Sequence, residues 1–477
     1  MKYEVVMGLE VHVELATESK LFCSCSAKFG AAPNENVCPA CAGMPGMLPV
    51  ANKRAIELGI AAGLVTNCRI SPSITFDKKN YFYPDLPTGY QITQFYAPIC
   101  RDGHVDLDIG GVTRRIRIKQ IHIEEDAGKL VHERGATLID CNRGGVPLVE
   151  IVSQPDFRNA EEVTAYLEKL RLLLSFADVS DCRLQEGSMR CDVNLSVREA
   201  GAVKLGVRTE VKNMNSLKAI SRAIEYESQR HIDALEADSG ELVQETRRWD
   251  DGAGETYPMR SKEDAADYRY FPNPDIMPIS ISDSWVNEVR NTLPEASNEK
   301  YTRMTEELGV SHPDSKIIAG SKRLADIFDG IMAHGLNAKE AASWIVTELL
   351  SMSTEENKSY DDIHIDCDKF AALISMVEKK TINRNTAKKI LVLIYADNID
   401  PVAYVKENNL GILTDESLLE GVIKSVLEEN EKTVEQYIAG NEKVAGFLMG
   451  KAMSKTSGKA DPAVLKTILE CALNGRR

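Results

Sequence analysis

The sequence predicts an α+β protein, strand-rich to about residue 293 and all-helical from Pro294 onward. Three observations carry that prediction. Valines and isoleucines alternate with polar or acidic residues in YEVVMGLEVHVEL (3–15), VTRRIRIKQIHIEED and GSMRCDVNLSVR, the period of strands with one apolar face. Few helical patterns separate these runs, which argues against a doubly wound parallel sheet. Beyond Pro294 the apolar spacing changes to three and four and the strand signals stop. At 477 residues the chain exceeds one core, and 43% hydrophobic with 27% charged residues is the composition of a folded, multidomain protein.

In chain order, the first strand carries Glu10, His12 and Glu14 on one face: either a site, or the solvated face of an edge hairpin. Cys23, Cys25, Cys38 and Cys41 follow in the spacing C-x-C-x12-C-x2-C, two thiol pairs able to close a tetrahedral zinc knuckle over 23–41. Four thiolates leave no open position, so such a zinc is structural. A helix is expected over 48–65. FDKKNYFYPDLPTGYQITQ then crowds aromatic residues between prolines; it is either a structural corner or a loop whose Lys78, Lys79 and Tyr81 line a nucleotide or terminal base.

Residues 103–126 read as a hairpin turning at Gly110-Gly111. The apolar phase of its second strand slips between Ile118 and Ile121, which predicts a β-bulge. The bulge is expected to aim Glu124 and Glu125 into one cavity. Within 137–152, two strand-like runs flank Arg143-Gly144-Gly145, and Glu150 sits in the apolar run PLVEIV, where a carboxylate is costly without a cation or donors. Residues 159–177 are a helix capped by Asn159. Arg190, Asp192 and Asn194 then share one strand face, and Glu210 and Lys212 another. A long helix starts near Ser216. Residues 245–275 show charge, aromatics and little periodicity; their arginines 247, 248, 260 and 269 either clamp an anion or pair with nearby acids.

The helical part is expected at 294–309, 317–334, 337–352, 366–379 and 383–395. Residues 402–439 carry three basic and eight acidic side chains, whereas 440–477 carry seven basic and three acidic ones. Lys451, Lys455 and Lys459 recur there at helical spacing, either an RNA-backbone contact or a solvated lysine face.

The net charge of -15 argues against non-specific wrapping of nucleic acid, though not against a local basic patch. An odd eleven cysteines do not suggest a disulfide framework. With no apolar run of membrane-spanning length and no secretory leader, the expectation is a cytoplasmic protein without a membrane partner.

Taken together, GLEVHVEL, the cysteine cluster ending in CPAC, KNYFYPDLPTGYQITQ, HIEEDAGK, NRGGVPLVEIV, MRCDVNLSVR, DYRYFPNPD and GFLMGKAMSKTSGKADP resemble one family along the whole chain. It is GatB, the B-subunit family of the tRNA-dependent amidotransferases, which work as the GatCAB heterotrimer. The resemblance implies an antiparallel-sheet cradle domain (1–293), a helical domain (294–405) and a small YqeY-like tail (406–477). It also implies an ATP-dependent ligase that phosphorylates the side-chain carboxylate of Glu-tRNA(Gln) or Asp-tRNA(Asn). Ammonia channelled from the amidase partner, GatA, then displaces the phosphate, and a third chain, GatC, clasps the other two together. It further implies Mg2+ ligands at His12, Glu125 and Glu150, and a second acidic set at Glu10, Glu124, Asp192 and Glu210 that holds another ion or lines the ammonia path. Lys79, Tyr81, Arg143 and Arg190 are the candidates for the nucleotide contact, and the tail lysines for the tRNA body.

Two other classes remain open on the residues alone: a stand-alone ATP-dependent ligase of a small carboxylate, and a zinc-bearing RNA-binding scaffold. The sequence has neither a G-x-S-x-G elbow nor a Walker loop, which favours one chain of a complex over a self-sufficient enzyme.

Overall fold

Nine strands form the frame of the first of two units, Met1–Ala296. In chain order they are β1 (Tyr3–Glu14), β2 (Arg69–Ile70), β3 (Cys100–Ile109), β4 (Val112–Glu125), β5 (Pro147–Ser153), β6 (Met189–Glu199), β7 (Thr209–Lys212), β8 (Glu245–Asp250) and β9 (Glu255–Ser261). Across the sheet they run β9-β8-β7-β6-β1-β5-β4-β3-β2. Every neighbouring pair is antiparallel except β7–β8, the parallel pair joined by a crossover helix. This computed structural model describes residues 2–476 other than 238–239, 241, 262–267, 356–358, 413–415 and 457–459.

Alternation divides the sheet into two unlike faces. Leu9, Val11 and Val13 of β1, Val149 and Ile151 of β5, Ile121 and Ile123 of β4 and Val193 and Leu195 of β6 are all buried in one apolar cluster. Residues of helices α1 (Lys53–Val65), α2 (Ala160–Phe176) and α3 (Leu217–Glu236) pack into that cluster. Each helix starts at a side-chain cap, Asn52, Asn159 and Ser216, whose oxygen accepts first-turn N–H groups. The Asn52 cap explains why α1 begins at Lys53 and not at residue 48. The opposite face carries the histidines and acids.

The bulge read from the sequence is present. Gln120 pairs with Val152 and Ile118 with Ser153, so Lys119 is the extra residue of β4. Its consequence differs from the expectation. Ile116 and Ile118 before it, and Ile121 and Ile123 after it, are all buried, so the bulge moves the core phase from even to odd positions. From Gln120 to Glu125 the pairing is uninterrupted, and adjacent side chains diverge. His122 and Glu124 therefore face the polar side, and Glu125 does not.

Residues 245–261, expected to lack periodicity, form the β8–β9 hairpin. Its inward positions include Glu245, Thr246 and Thr256 as well as Trp249, so burial there is polar and hydrophobic alternation could not report it. Arg247 pairs with Glu245 at 2.8 Å and with fully buried Glu227 at 3.2 Å, the ion-pair alternative of the two readings. Gly110 and Gly111 do turn the β3–β4 hairpin, both at positive φ (59° and 80°).

The second unit, Ser297–Arg477, is helical. One apolar cluster runs from Met304 to Val405 and another from Leu419 to Leu473. The helix expected over 317–334 is two, His312–Ala319 and Lys322–Met332; the second starts on its own cap, Ser321. No helix among the described residues is long and apolar enough to cross a membrane.

Candidate active site

The polar face of the sheet assembles one row of side chains directly across four strands. Arg190 of β6 pairs with His12 of β1, His12 with Glu150 of β5, and Glu150 with His122 of β4. Two residues further along β4, Glu124 completes the group. His12 Nε2 lies 3.5 Å from Glu124 Oε1 and 3.3 Å from Glu150 Oε2. His122 Nε2 lies 3.1 Å from the same Glu150 oxygen and 3.6 Å from Glu124 Oε2. Thr93 donates to Glu124 Oε2 at 3.2 Å.

Burial and charge oppose each other here. Burial alone would push the His12 and His122 pKa values down. Glu150 and Glu124 override it and hold His12 up at about 8 and His122 at about 10. Burial likewise acts against both carboxylates, yet the two imidazoles keep Glu150 well below the usual range and Glu124 below it. The site is built around positive charge.

A second cluster lies beside it on the same face. Glu10, Asp192 and Glu210 bring carboxylate oxygens within 4.8 Å of one another. Lys212 reaches into it, contacting Asp192 and lying 3.2 Å from Glu210. Burial raises the Glu10 pKa, as do the charges of Glu150 and Glu210. Asn194 donates to Glu10 at 3.0 Å, and Thr246 to Glu210 at 2.7 Å.

Glu125, expected beside His12 and Glu150, is elsewhere. Its Oε1 accepts the Ile92 N–H at 2.9 Å, and burial pushes its carboxyl up to about 7. It lines a cavity of about 250 Å³ with Lys20, Cys23, Cys41 and Asp126. The expected grouping is corrected accordingly: Glu124, placed in the second set by the resemblance, closes with His12 and Glu150 within 4.8 Å. The bulge at Lys119 is the reason, because it fixes the alternation phase of everything after it.

Of the four nucleotide-contact candidates, Arg190 and Arg143 converge on Asp126, at 2.6 and 3.4 Å. Arg143 also donates to the carbonyls of Ala127 and Gly128. Glu14 lies in the same group, its carboxyl raised to about 7 by burial and the Asp126 charge. Lys79 stands between the rings of Tyr81 and Tyr268, with its ammonium 5.8 and 5.0 Å from their centroids. Burial opposes its charge, but Glu124 leads the groups that raise its pKa to about 12. Lys78 is held by Asp275 at 3.0 Å.

The four thiols of 23–41 meet as the spacing predicts, with Sγ atoms all within 4.8 Å of one another. Cys41 Sγ is 3.8 Å from that of Cys38 and 4.0 Å from that of Cys25. Zinc–thiolate bonds of about 2.3 Å in a tetrahedron put sulfurs about 3.8 Å apart, so the donor set fits that ion. The buried Lys20 ammonium lies 3.7 Å from Cys41 Sγ and 3.0 Å from the Cys141 carbonyl. All eleven cysteines are free thiols.

In the tail, Lys455 is committed to Ser425 at 2.6 Å and to Glu429, and Lys451 covers the Phe447 ring. Lys459 lies outside the described residues. Sequence reasoning missed His122 and Asp126. His122 was legible, since it shares the alternation phase of Glu124; Asp126 gave no signal beyond one acid in HIEED.

Comparison with known proteins covers both units. The sequence model of the GatB/GatE catalytic domain matches residues 5–287, and that of the GatB domain matches residues 326–473. A protein of Lachnoclostridium phytofermentans is 49% identical over 469 residues, 98% of each chain. One of Lachnospira eligens is 49% identical over 98% of this chain and 99% of its own. One of Caldicellulosiruptor bescii is 47% identical over 98% of both. All three are named as the B subunit of aspartyl/glutamyl-tRNA(Asn/Gln) amidotransferase.

Proposed function

The chain belongs to the GatB family, and on that premise we propose that it is the transamidating chain of a heterotrimeric ligase acting on Glu-tRNA(Gln), Asp-tRNA(Asn) or both. Its partners are an amidase, a small clasping protein and the tRNA, in the cytoplasm. The single observation that carries this reading is the row His12–Glu150–His122 with Glu124 beneath it.

Two carboxylates and an imidazole within 4.8 Å fit a divalent cation such as Mg2+, and the raised histidines express the same demand for positive charge. His12, Glu124 and Glu150 would hold the ion, which supplies neutralisation of charge developing on a transferring phosphoryl group. The chain's own part is positioning. Lys79, held between Tyr81 and Tyr268 and raised in pKa by Glu124, orients the phosphates of ATP. Arg143 and Arg190 serve through Asp126, bracing the loop that ends in Gly145. The substrate carboxylate attacks the γ-phosphorus, ADP leaves, and an acyl phosphate forms. That acyl phosphate has to be kept from water until ammonia arrives. Ammonia then adds to the acyl carbon and phosphate departs with its bonding electrons. Glu10, Asp192 and Glu210 are placed to take the proton of an arriving ammonium or the one shed by the new amide.

Zinc in the Cys23–Cys25–Cys38–Cys41 knuckle is structural, and the buried Lys20 offsets part of its thiolate charge. The separate apolar clusters of the second unit support modules at 294–405 and 406–477, the last contacting tRNA.

The test is amidation of each misacylated tRNA by the reconstituted complex with ATP and glutamine. Failure on both would sink the assignment. Equal zinc content in wild type and Cys38→Ser would remove the knuckle from it.

A further inference from the structure

Glu150 is flanked by an imidazole on each side, and the two imidazoles are not equivalent. His12 and His122 occupy the same ladder position, opposite Glu150, on β1 and β4, the two strands that flank β5. Both Nε2 atoms approach one oxygen, Glu150 Oε2, at 3.3 and 3.1 Å. They meet Glu124 on different oxygens: His12 on Oε1 at 3.5 Å, His122 on Oε2 at 3.6 Å. The set of donor atoms that closes within 4.8 Å is His12, Glu124 and Glu150, and His122 stands outside it. A cation seated among those three would replace the contacts of His12. It would leave those of His122 in place.

The rest of the His122 ring points the same way. The side chain is buried, and its Nδ1 has no hydrogen-bond partner among the described residues. Its polar anchoring within the protein therefore runs through Nε2, toward the two carboxylates. Two acids on adjacent strands repel, and nothing in a strand backbone fixes their terminal torsions. A cationic ring in contact with both does.

We propose that His122 is a positioning residue of this centre: its Nε2, hydrogen-bonded to Glu150 at 3.1 Å and in ion-pair contact with Glu124 at 3.6 Å, sets the rotamers of both carboxylates so that each presents an oxygen to a divalent ion. The inference rests on reading the cluster as a divalent-ion site, and it adds a residue that would touch neither the ion nor the substrate. Partners that orient metal ligands in this way typically contribute about 10–100-fold to metal affinity. A histidine that merely filled the core would contribute nothing of the kind.

The experiment is Mn2+ binding to the full-length chain in the reconstituted complex, followed by electron paramagnetic resonance, for wild type, His122→Gln and His122→Leu. The glutamine amide keeps a donor near the position of Nε2; leucine keeps the volume and removes the donor. Expected is a loss of about 10–100-fold in Mn2+ affinity for His122→Leu, with most of it recovered in His122→Gln. Pulsed measurement on wild type should show one imidazole nitrogen coupled to the ion, retained in His122→Leu and lost in His12→Gln. The proposal is overturned by His122→Leu that titrates like wild type, by His122→Gln as weak as His122→Leu, or by a second coupled nitrogen that disappears with His122. Wild type binding no Mn2+ here would remove the divalent-ion reading as well, which separates that failure from the others.

Discussion

Two acid clusters sit side by side on one face of one sheet, and their charge is balanced by different bases. Glu124 and Glu150 face two imidazoles, His12 and His122. Glu10, Asp192 and Glu210 face one amine, Lys212. An imidazole can shed its proton near neutral pH and become a ligand; an ammonium on a four-carbon stem remains a cation. The first cluster can therefore hand its carboxylates to an ion, whereas the second already contains one. On the function proposed above, the difference would separate a place that binds an ion from a place that exchanges protons.

The largest effect expected breaks the first cluster alone. Glu150→Gln or Glu124→Gln should cost on the order of 10²–10³-fold in amidation by the complex, with the partner's glutaminase surviving. Glu125→Gln, on the other side of the sheet, should leave divalent-ion binding unchanged. Equal losses of ion binding in all three would dissolve the distinction between the faces.

Lys212→Met tests the second cluster. Removing its cation leaves three acids to repel, an expected loss of about 1–3 kcal/mol of stability read as a lowered Tm. Unchanged Tm would mean that solvent neutralises these acids and the amine is incidental.

The pH dependence sharpens the contrast further. His12 and His122 have folded pKa values raised to about 8 and about 10, so their contribution to the ion-free protein is complete below about pH 6.5. It is lost as pH rises through about 8 and then about 10. Lys212 is raised from an already high value, so this amine contributes no such slope in this window. Ion-free protein should therefore lose Tm between pH 7 and 9, and Mg2+ should stabilise more at pH 9 than at pH 7. His12→Gln should flatten both trends.

The smallest effect on turnover is expected from the tail. Deleting 406–477 should weaken tRNA binding and reduce its salt dependence while changing the rate at saturating tRNA little. Lys455 is already paired with Glu429, so substituting it alone should change the salt slope less than substituting Lys451.

Strand, hairpin and helix patterns through β6 were written plainly, because those elements bury one apolar stripe and expose the other side. The cysteine knuckle was legible for a different reason: its four donors lie close together in sequence. β8 and β9 were hidden because their inward residues are polar and satisfied by Glu227, Arg230 and Arg247.

The amino-acid sequence alone determined the α+β class, the all-helical second part, and the acids and histidines available to the polar face. It even carried the phase slip at Lys119. Only the tertiary structure decided what that slip selects. One extra residue in β4 keeps isoleucine in the core on both sides of it, and so turns His122 and Glu124 toward His12 while Glu125 goes to the opposite face. Which of two adjacent glutamates meets a histidine more than a hundred residues away is a matter of ladder register, and register exists only once strands have paired.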